Sequence, residues 1–302
     1  MIEVAGLAKS FGDIQALDDF SCQVRPNAIT ALTGADGAGK STFFKILVGL
    51  LRADRGLIQI DGRNIAESGR KTGLFGYMPE SFSLYPDLSV AENLDFFAAI
   101  HGLSREENMR RRNLLLERTG MSPFAARRVN NLSGGMKQKL ALMTILLASP
   151  RLLILDEPTT GVDPRSRSEF FSILQELRDQ GCSVLLSTPY LDEAEKADYV
   201  ILVKNGRVLQ SAPPNELKRQ LPARIYRLEP RGNPLQVLAA CSGLASLRDD
   251  LYVRGRFLVY MQSGRQNLLD QIPHERCHQD EPRLEDVYIY YERRSNASVK
   301  AG

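Results

Sequence analysis

Cysteine is scarce in this chain of 302 residues: Cys22, Cys182, Cys241 and Cys277 are scattered, and no two form a CxxC pair. That scatter offers neither a disulfide framework nor a zinc ribbon, and the expected setting is reduced and cytoplasmic. Long apolar runs are missing as well. The longest uncharged one near the middle, LALMTILLASP from Leu140, falls well short of the ~20 residues that span a bilayer. Glu3 and Lys9 interrupt any apolar stretch at the start, so no secretory leader is expected. Neither sign of charge dominates: 39 Lys and Arg stand against 36 Asp and Glu, a net +3. That excess is too small to argue for a nucleic-acid partner. Histidine occurs three times, at His101, His274 and His278, and no internal repeat is visible. What is present is ordinary globular material, 43% hydrophobic and 25% charged, enough for one large domain or a domain with an appendage.

Strand-like and helix-like segments alternate to about residue 220. AITAL (28–32) reads as a buried strand ending in a glycine-rich turn, and STFFKILVGLL follows with apolar residues at helical spacing. GLIQIDGRNI (56–65) has the form of a hairpin with Asp61-Gly62 at its turn. From 88 to 120 the pattern is helical and rich in arginine. LLILDEP and SVLLSTP are short apolar runs separated by a helical segment at 165–180, a βαβ crossover that implies a parallel sheet. The character changes at Leu221-Pro222, beyond which RIYRLEP and RFLVYMQ read as strands and PRLEDVYIYYERR as an amphipathic stretch. The expected fold class is α/β: a core domain at 1–221 with a helical lobe at about 85–145, then a small α/β appendage at 222–302 with a disordered tail from about 295.

Three motifs carry chemistry. GADGAGKST fits G-x-x-x-x-G-K-[ST], with Gly34, Gly39, Lys40 and Ser41 at the fixed positions and Ala35, Asp36, Gly37, Ala38 and Thr42 completing the loop. Phosphate oxygens need many donors at close range, and glycines let successive N–H groups point inward. A helix beginning near Lys40 adds the positive end of its dipole. Lys40 would then reach the β- and γ-phosphates and Ser41 would ligate Mg²⁺. The bland alternative is a glycine-rich turn, but the pattern arises by chance only about 0.01 times in a chain of this length. LLILDEP is a buried strand presenting Asp156, suited to hold Mg²⁺ through water, and Glu157, suited to polarise an attacking water. Standing alone, such a pair would read as a turn or helix cap. LSGGMKQK places Ser133, Gly134 and Gly135 at the start of a helix expected over 135–148, a second anion-binding terminus or a plain N-cap.

Together these pieces resemble the ATP-binding cassette (ABC) ATPases over about residues 1–220. The phosphate loop GADGAGKS, the signature LSGGMK, the LLILDE strand and the D-loop GVDP (161–164) all match. The resemblance implies a P-loop NTPase fold, a RecA-like core plus a helical lobe, with ATP and Mg²⁺ bound. It also implies that Phe11, in KSFGDIQAL, stacks on adenine, although by position alone Phe11 could be a core residue. Two cassettes would pair head to tail, with Ser133, Gly134 and Gly135 turned toward the partner's ATP, and Asp163 would be among the nucleotide-binding residues. PRLEDVYIYYE, LSGGMKQKL and YLDEAE are similar to cassettes serving ABC-2 type exporters, most of all to the first half of tandem two-cassette ATPases. That likeness implies an ATPase on the cytoplasmic face of a membrane, working with separate transmembrane subunits and a second, heteromeric cassette. A chain lacking its second half is the other arrangement it implies.

Two positions depart from the family. Its Q-loop glutamine aligns with Glu80 in GYMPESFSLYPDLSV, which keeps an oxygen for Mg²⁺ but adds charge near the γ-phosphate. Two unit charges about 4 Å apart repel by about 4 kcal/mol at an effective dielectric of about 20, before any offset by the ion. The family's switch histidine, a donor to the γ-phosphate, aligns with Pro189 in LLSTPYLDEAE. Proline has no such donor and biases Thr188 toward extended backbone. The site is therefore expected to bind nucleotide and turn over slowly. A nucleotide-gated binding module and an ABC ATPase unconnected with transport are the alternatives. MRRRNLLLER reads as a solvated helix face, HERCH as a poor metal set, and Ser104 with Glu107 as a helix start.

Overall fold

The computed structural model describes residues 2–64, 75–81, 84–241, 247, 250–262 and 268–299; side chains of 296–299 are not among them. Two compact units result, Met1–Val208 and the part from Leu209 onward, each with its own apolar cluster. The sequence reading put the division at 221/222, beyond a strand and a short helix that follow residue 206.

The first unit opens with β1 (Ile2–Phe11) and β2 (Ile14–Val24), an antiparallel pair in which Phe11 faces Ile14. β3 (Ile29–Thr33) is buried at every position, as a central strand covered on both faces must be. The phosphate-loop segment follows, then α1 (Lys40–Leu47). β4 (Arg55–Ile60) and β5 (Arg63–Asn64) form the expected hairpin. Asp61 and Gly62 both take positive φ, 49° and 75°, which a two-residue hairpin turn requires. Next come β6 (Gly76–Met78), α2 (Val90–Ile100), α3 (Arg105–Arg118) and α4 (Gly134–Leu146), the last three making the helical lobe. β7 (Leu152–Leu155), α5 (Pro164–Asp179) and β8 (Ser183–Thr188) are the crossover, and β7 pairs with β8 in parallel. α6 (Leu191–Ala194), β9 (Tyr199–Lys204) and β10 (Arg207–Ala212) close the six-stranded sheet, whose order is β10-β9-β3-β8-β7-β6. A second sheet has the order β2-β1-β4-β5.

One apolar cluster joins these sheets. Phe20 from β2 meets Phe43 from α1 at 4.7 Å between ring centroids, and Leu32, Ile154, Leu185 and Ile201 supply the parallel strands' share. Burying one such side chain stabilises the fold by about 1.5–3 kcal/mol.

The second unit continues with α7 (Pro214–Arg219), β11 (Arg224–Pro230), α8 (Pro234–Cys241), β12 (Leu251–Arg254), β13 (Phe257–Gln262), β14 (His274–Asp280) and α9 (Leu284–Val299). All pairs in its sheet are antiparallel, in the order β12-β13-β11-β14, the split β-α-β arrangement. Alternation along β12 divides its faces: Leu251 joins the cluster with Val237 and Cys241 of α8, and Tyr252 donates to Asp286 of α9. Arg254 also donates to Asp286, at 3.0 Å, so this fully buried carboxylate is paired. α9 carries past Ser295 to Val299, and 300–302 lie outside the described residues.

Candidate functional site

Register places the chemistry. In the parallel sheet Thr33 stands beside Thr188, Leu155 beside Leu186, and Met78 beside Leu155. The ends of β3, β6, β7 and β8 therefore fall on one edge. Gly34, Glu80, Asp156 and Pro189 each follow one of those ends within two residues. Crevices beyond the carboxyl ends of parallel strands are where α/β folds seat ligands.

The loop from Gly34 to Gly39 turns into α1 with Gly37 and Gly39 at φ 77° and 99°. A Cβ added at Gly34 would lie 2.2 Å from the Val203 carbonyl oxygen, and one at Gly39 would lie 2.5 Å from that of Ala16. Both positions need glycine for close packing as much as for backbone freedom. Ala35, Asp36 and Gly37 are exposed at the rim, Ala38 is buried, and Ser41 and Thr42 are half-buried on the first helical turn. Lys40 is only 4% exposed; its Nζ donates to the carbonyls of Gly34 at 3.0 Å and Ala35 at 3.2 Å. It also pairs with Glu157 Oε1 at 3.3 Å, and Asp36 is 4.0 Å away. A buried lysine bonded to loop carbonyls and one carboxylate is a cation for which an incoming anion can exchange partners.

Asp156 is 1% exposed, and its amide donates to the Met78 carbonyl at 2.8 Å. Ser187 donates to its Oδ1 at 2.7 Å and Ser41 at 3.2 Å. Burial pushes this carboxyl above its usual range; the Ser187 and Ser41 hydroxyls pull it down, and Glu157 pushes it up further. No lysine or arginine ion pair is formed by Asp156 among the described residues. A buried carboxylate without a paired cation, beside a serine hydroxyl, is an all-oxygen donor set suited to Mg²⁺. Glu80 is exposed beyond β6. Its charge and that of Asp156 add to burial in pushing the Tyr77 phenol up to about 12.

Glu157 sits in left-handed backbone at φ 48°, a conformation rare outside glycine and asparagine-like residues. Its amide donates to Ser187 Oγ at 2.8 Å, and Thr160 Oγ1 donates to its Oε2 at 3.1 Å. Such strain persists where surrounding bonds over-determine it.

The other expected site residues form separate groups. Ser133 caps α4, accepting from the Met136 amide at 3.3 Å, and the helix starts at Gly134, one residue earlier than the sequence suggested. Ser133 and Gly134 are exposed, and Gly135 is buried against Ser166 of α5, where a Cβ would come within 2.6 Å. Asp163 caps α5, accepting from the Ser166 amide at 3.0 Å, a bond that holds its carboxyl below the usual range. Signature and D-loop thus share one contact. Phe11, at the β1–β2 hairpin, is 49% exposed with Lys9 Nζ 5.6 Å from its ring centroid, so it is not a core residue.

Sequence reasoning passed over Ser187 and Glu193. Ser187 holds both acidic residues of the β7 end; its one signal was a hydroxyl within the apolar run SVLLST. Glu193 is 2% exposed and accepts from Thr159 Oγ1 at 2.8 Å and Thr188 Oγ1 at 2.6 Å. Arg167 lies 3.7 Å from it and stacks over the Tyr190 ring at 4.0 Å. This net fixes the turn after β7 to the turn after β8. The HERCH residues lie in β14, and among the described residues no cluster of three or more metal-ligating side chains occurs. No helix among them is long and apolar enough to cross a membrane.

Comparison with known proteins agrees with this geometry. Residues 17–160 match the ABC transporter family. A probable multidrug ABC transporter ATP-binding protein of Escherichia coli, YbhF, is 35% identical over 96% of this chain, which spans 51% of that protein's length. The daunorubicin/doxorubicin resistance ATP-binding protein DrrA of Streptomyces peucetius is 33% identical over 82% of this chain and 77% of its own. A solved structure of the ATP-binding subunit of an ABC transporter superposes with a TM-score of 0.63 at 33% identity, covering 73% of this chain and 92% of that one. The chain belongs to the ABC transporter family, as one of its ATP-binding cassettes.

Proposed function

We propose that this chain is the ATP-hydrolysing subunit of an ABC-2 type exporter, acting at the cytoplasmic face of a membrane through separate transmembrane subunits. The observation that carries the reading is the convergence at one sheet edge: Ser41 Oγ lies 3.2 Å from Asp156 Oδ1, and Lys40 Nζ lies 3.3 Å from Glu157 Oε1. The multidrug-transporter name of YbhF and the drug-resistance name of DrrA support export of small molecules.

In this reading the loop from Gly34 to Thr42 takes the phosphates of ATP on its N–H groups and the α1 terminus. Lys40 leaves the Gly34 and Ala35 carbonyls for the β- and γ-phosphates and releases Glu157. Ser41 and Asp156, with Glu80 supplying a further oxygen, would hold Mg²⁺, whose charge offsets that of the phosphates. Glu157 accepts a proton from water as the water oxygen bonds to the γ-phosphorus and the bond to the ADP oxygen breaks. The exposed face of Phe11 stacks on adenine. Ser133, Gly134 and Gly135 face the ATP of a second cassette paired head to tail, Asp163 joins the nucleotide-binding residues, and that partner is a different chain. The neighbourhood of residues 80–94 and the helical lobe receives the membrane subunits; Tyr85 and Phe96 are exposed there, their ring centroids 4.4 Å apart.

A second reading, a nucleotide-gated module with little turnover, is favoured by the surroundings of Pro189. The two hydroxyls before it are engaged, Ser187 with Asp156 and Thr188 with Glu193. Single-turnover hydrolysis by the unaltered chain and by Glu157→Gln separates the two: a Glu157-dependent burst supports the ATPase, and its absence in both supports the gate.

A further inference from the structure

Parallel strands have two ends, and the phosphate-loop chemistry lies at one. At the opposite end, the segments leading into β7 and β8 border a cavity of about 420 Å³. Its size falls within the ~300–1,000 Å³ of small-molecule sites. Leu115, Leu146 and Leu177, from α3, α4 and α5, give it an apolar floor. Four guanidinium groups surround that floor: Arg110, Arg111 and Arg118 on α3, and Arg151 just before β7.

These cations are not equivalent. Arg110 and Arg111 share one carboxylate, Glu107, at 2.8 and 2.5 Å. Arg111 is further held by the Leu147 carbonyl at 2.5 Å and Ser149 Oγ at 2.9 Å. Ser149 itself stands in left-handed backbone at φ 50°. Among the described residues Arg118 and Arg151 meet no carboxylate. Arg118 Nη1 donates to the neutral Gln180 Oε1 at 2.8 Å, a bond from the helical lobe to the end of α5. Arg151 is exposed beside the cavity. One carboxylate against four guanidiniums leaves the mouth strongly positive, and an anion would give Arg118 the Coulomb attraction of an ion pair, which the neutral Gln180 amide does not supply.

We propose that this cavity binds a small amphipathic anion, a phosphate or carboxylate head on an apolar body, with Arg118 and Arg151 gripping the head and the leucine floor taking the body. A bare anion leaves the floor uncovered, and an uncharged apolar molecule leaves the guanidiniums unanswered. ATP's site is at the other end of the same strands, so occupancy of one does not exclude the other.

Calorimetric titration of the full chain with monomeric octyl phosphate tests this. Expected are one saturable site, unaffected by saturating ATP, and no comparable binding of octanol or inorganic phosphate. Arg118→Ala and Arg151→Ala each weaken binding about tenfold or more. Gln180→Ala removes the same hydrogen bond as Arg118→Ala but keeps the charge, and binds at least as tightly as the unaltered chain. Absence of saturable binding, affinity unchanged in both arginine variants, displacement by ATP, or equal weakening by Gln180→Ala each overturns the proposal. So does arginine-dependent retention on phosphatidylglycerol vesicles without binding of the free anion, which would make the patch a headgroup-reading surface.

Discussion

In the proposed reading Pro189 stands where a γ-phosphate donor is expected, and the hydroxyls beside it are already engaged. Ser187 and Thr188 point their hydroxyls into existing bonds, so neither substitutes for a missing donor without breaking a contact to Asp156 or Glu193. Removing one preorganised transition-state donor costs about 10²–10³ in rate. Pro189→His is therefore expected to raise hydrolysis by an amount of that order when the cassette is paired, measured as steady-state phosphate release; an unchanged rate in a pair that closes normally would show that no donor was missing. Glu157 has a separate role in the proposed reaction. Its amide in left-handed backbone is bonded to Ser187, and its carboxylate is paired with Lys40. These positions were legible because loop glycines, lysine and paired acids have fixed spacing. Ser187 was not, because a serine in an apolar strand carries no spacing signal.

At the scale of elements, the segments after β3, β7 and β8 are tied to one another. Glu193 joins the turn after β7, through Thr159, to the turn after β8, through Thr188. Glu193→Ala leaves the Thr159 and Thr188 hydroxyls without their acceptor, while Arg167 keeps Asp192, and is expected to cost about 1–3 kcal/mol, read from urea unfolding. The helical lobe carries a sign-definite pH response. Hydrogen bonds from Arg110 and Arg111 hold Glu107 down at about 2, against 4.5 ordinarily. A depressed carboxyl contributes stability above its unfolded value and loses it as pH falls through its folded value. Glu107→Gln should thus flatten the fall of the thermal midpoint between about pH 4.5 and about pH 2; an identical fall in both proteins would count against the pairing. Hairpin, crossover and capped helices could all be read from turn residues and periodicity. The reciprocal box of Ser89 and Glu92 at α2 escaped, because apolar residues lie on both sides of SVAE and mark no sharp onset.

For the whole molecule, the two units have separate apolar clusters with no residue in common. Leu258 is fully buried in the second, and Leu258→Ala should cost about 2–5 kcal/mol there. Calorimetry should show that unit's transition lowered, with ATP affinity of the first unit kept within about twofold. A parallel loss of ATP binding would mean that the units fold as one. The first unit's architecture was readable from buried apolar strands alternating with helices. The division at 208/209 was not, because β10 and α7 continue the same alternation past the end of the cassette-like motifs. The chain spans about half the length of YbhF, and pairing with a second, different cassette belongs to the proposed function, as does Pro189 at its switch position. The central claim is that the edge holding Lys40, Ser41, Asp156 and Glu157 hydrolyses ATP. Single-turnover hydrolysis with ATP and Mg²⁺ tests it most directly: Glu157→Gln is expected to lose about 10²–10⁴ in rate while still binding ATP, and equal rates in the two proteins would contradict it.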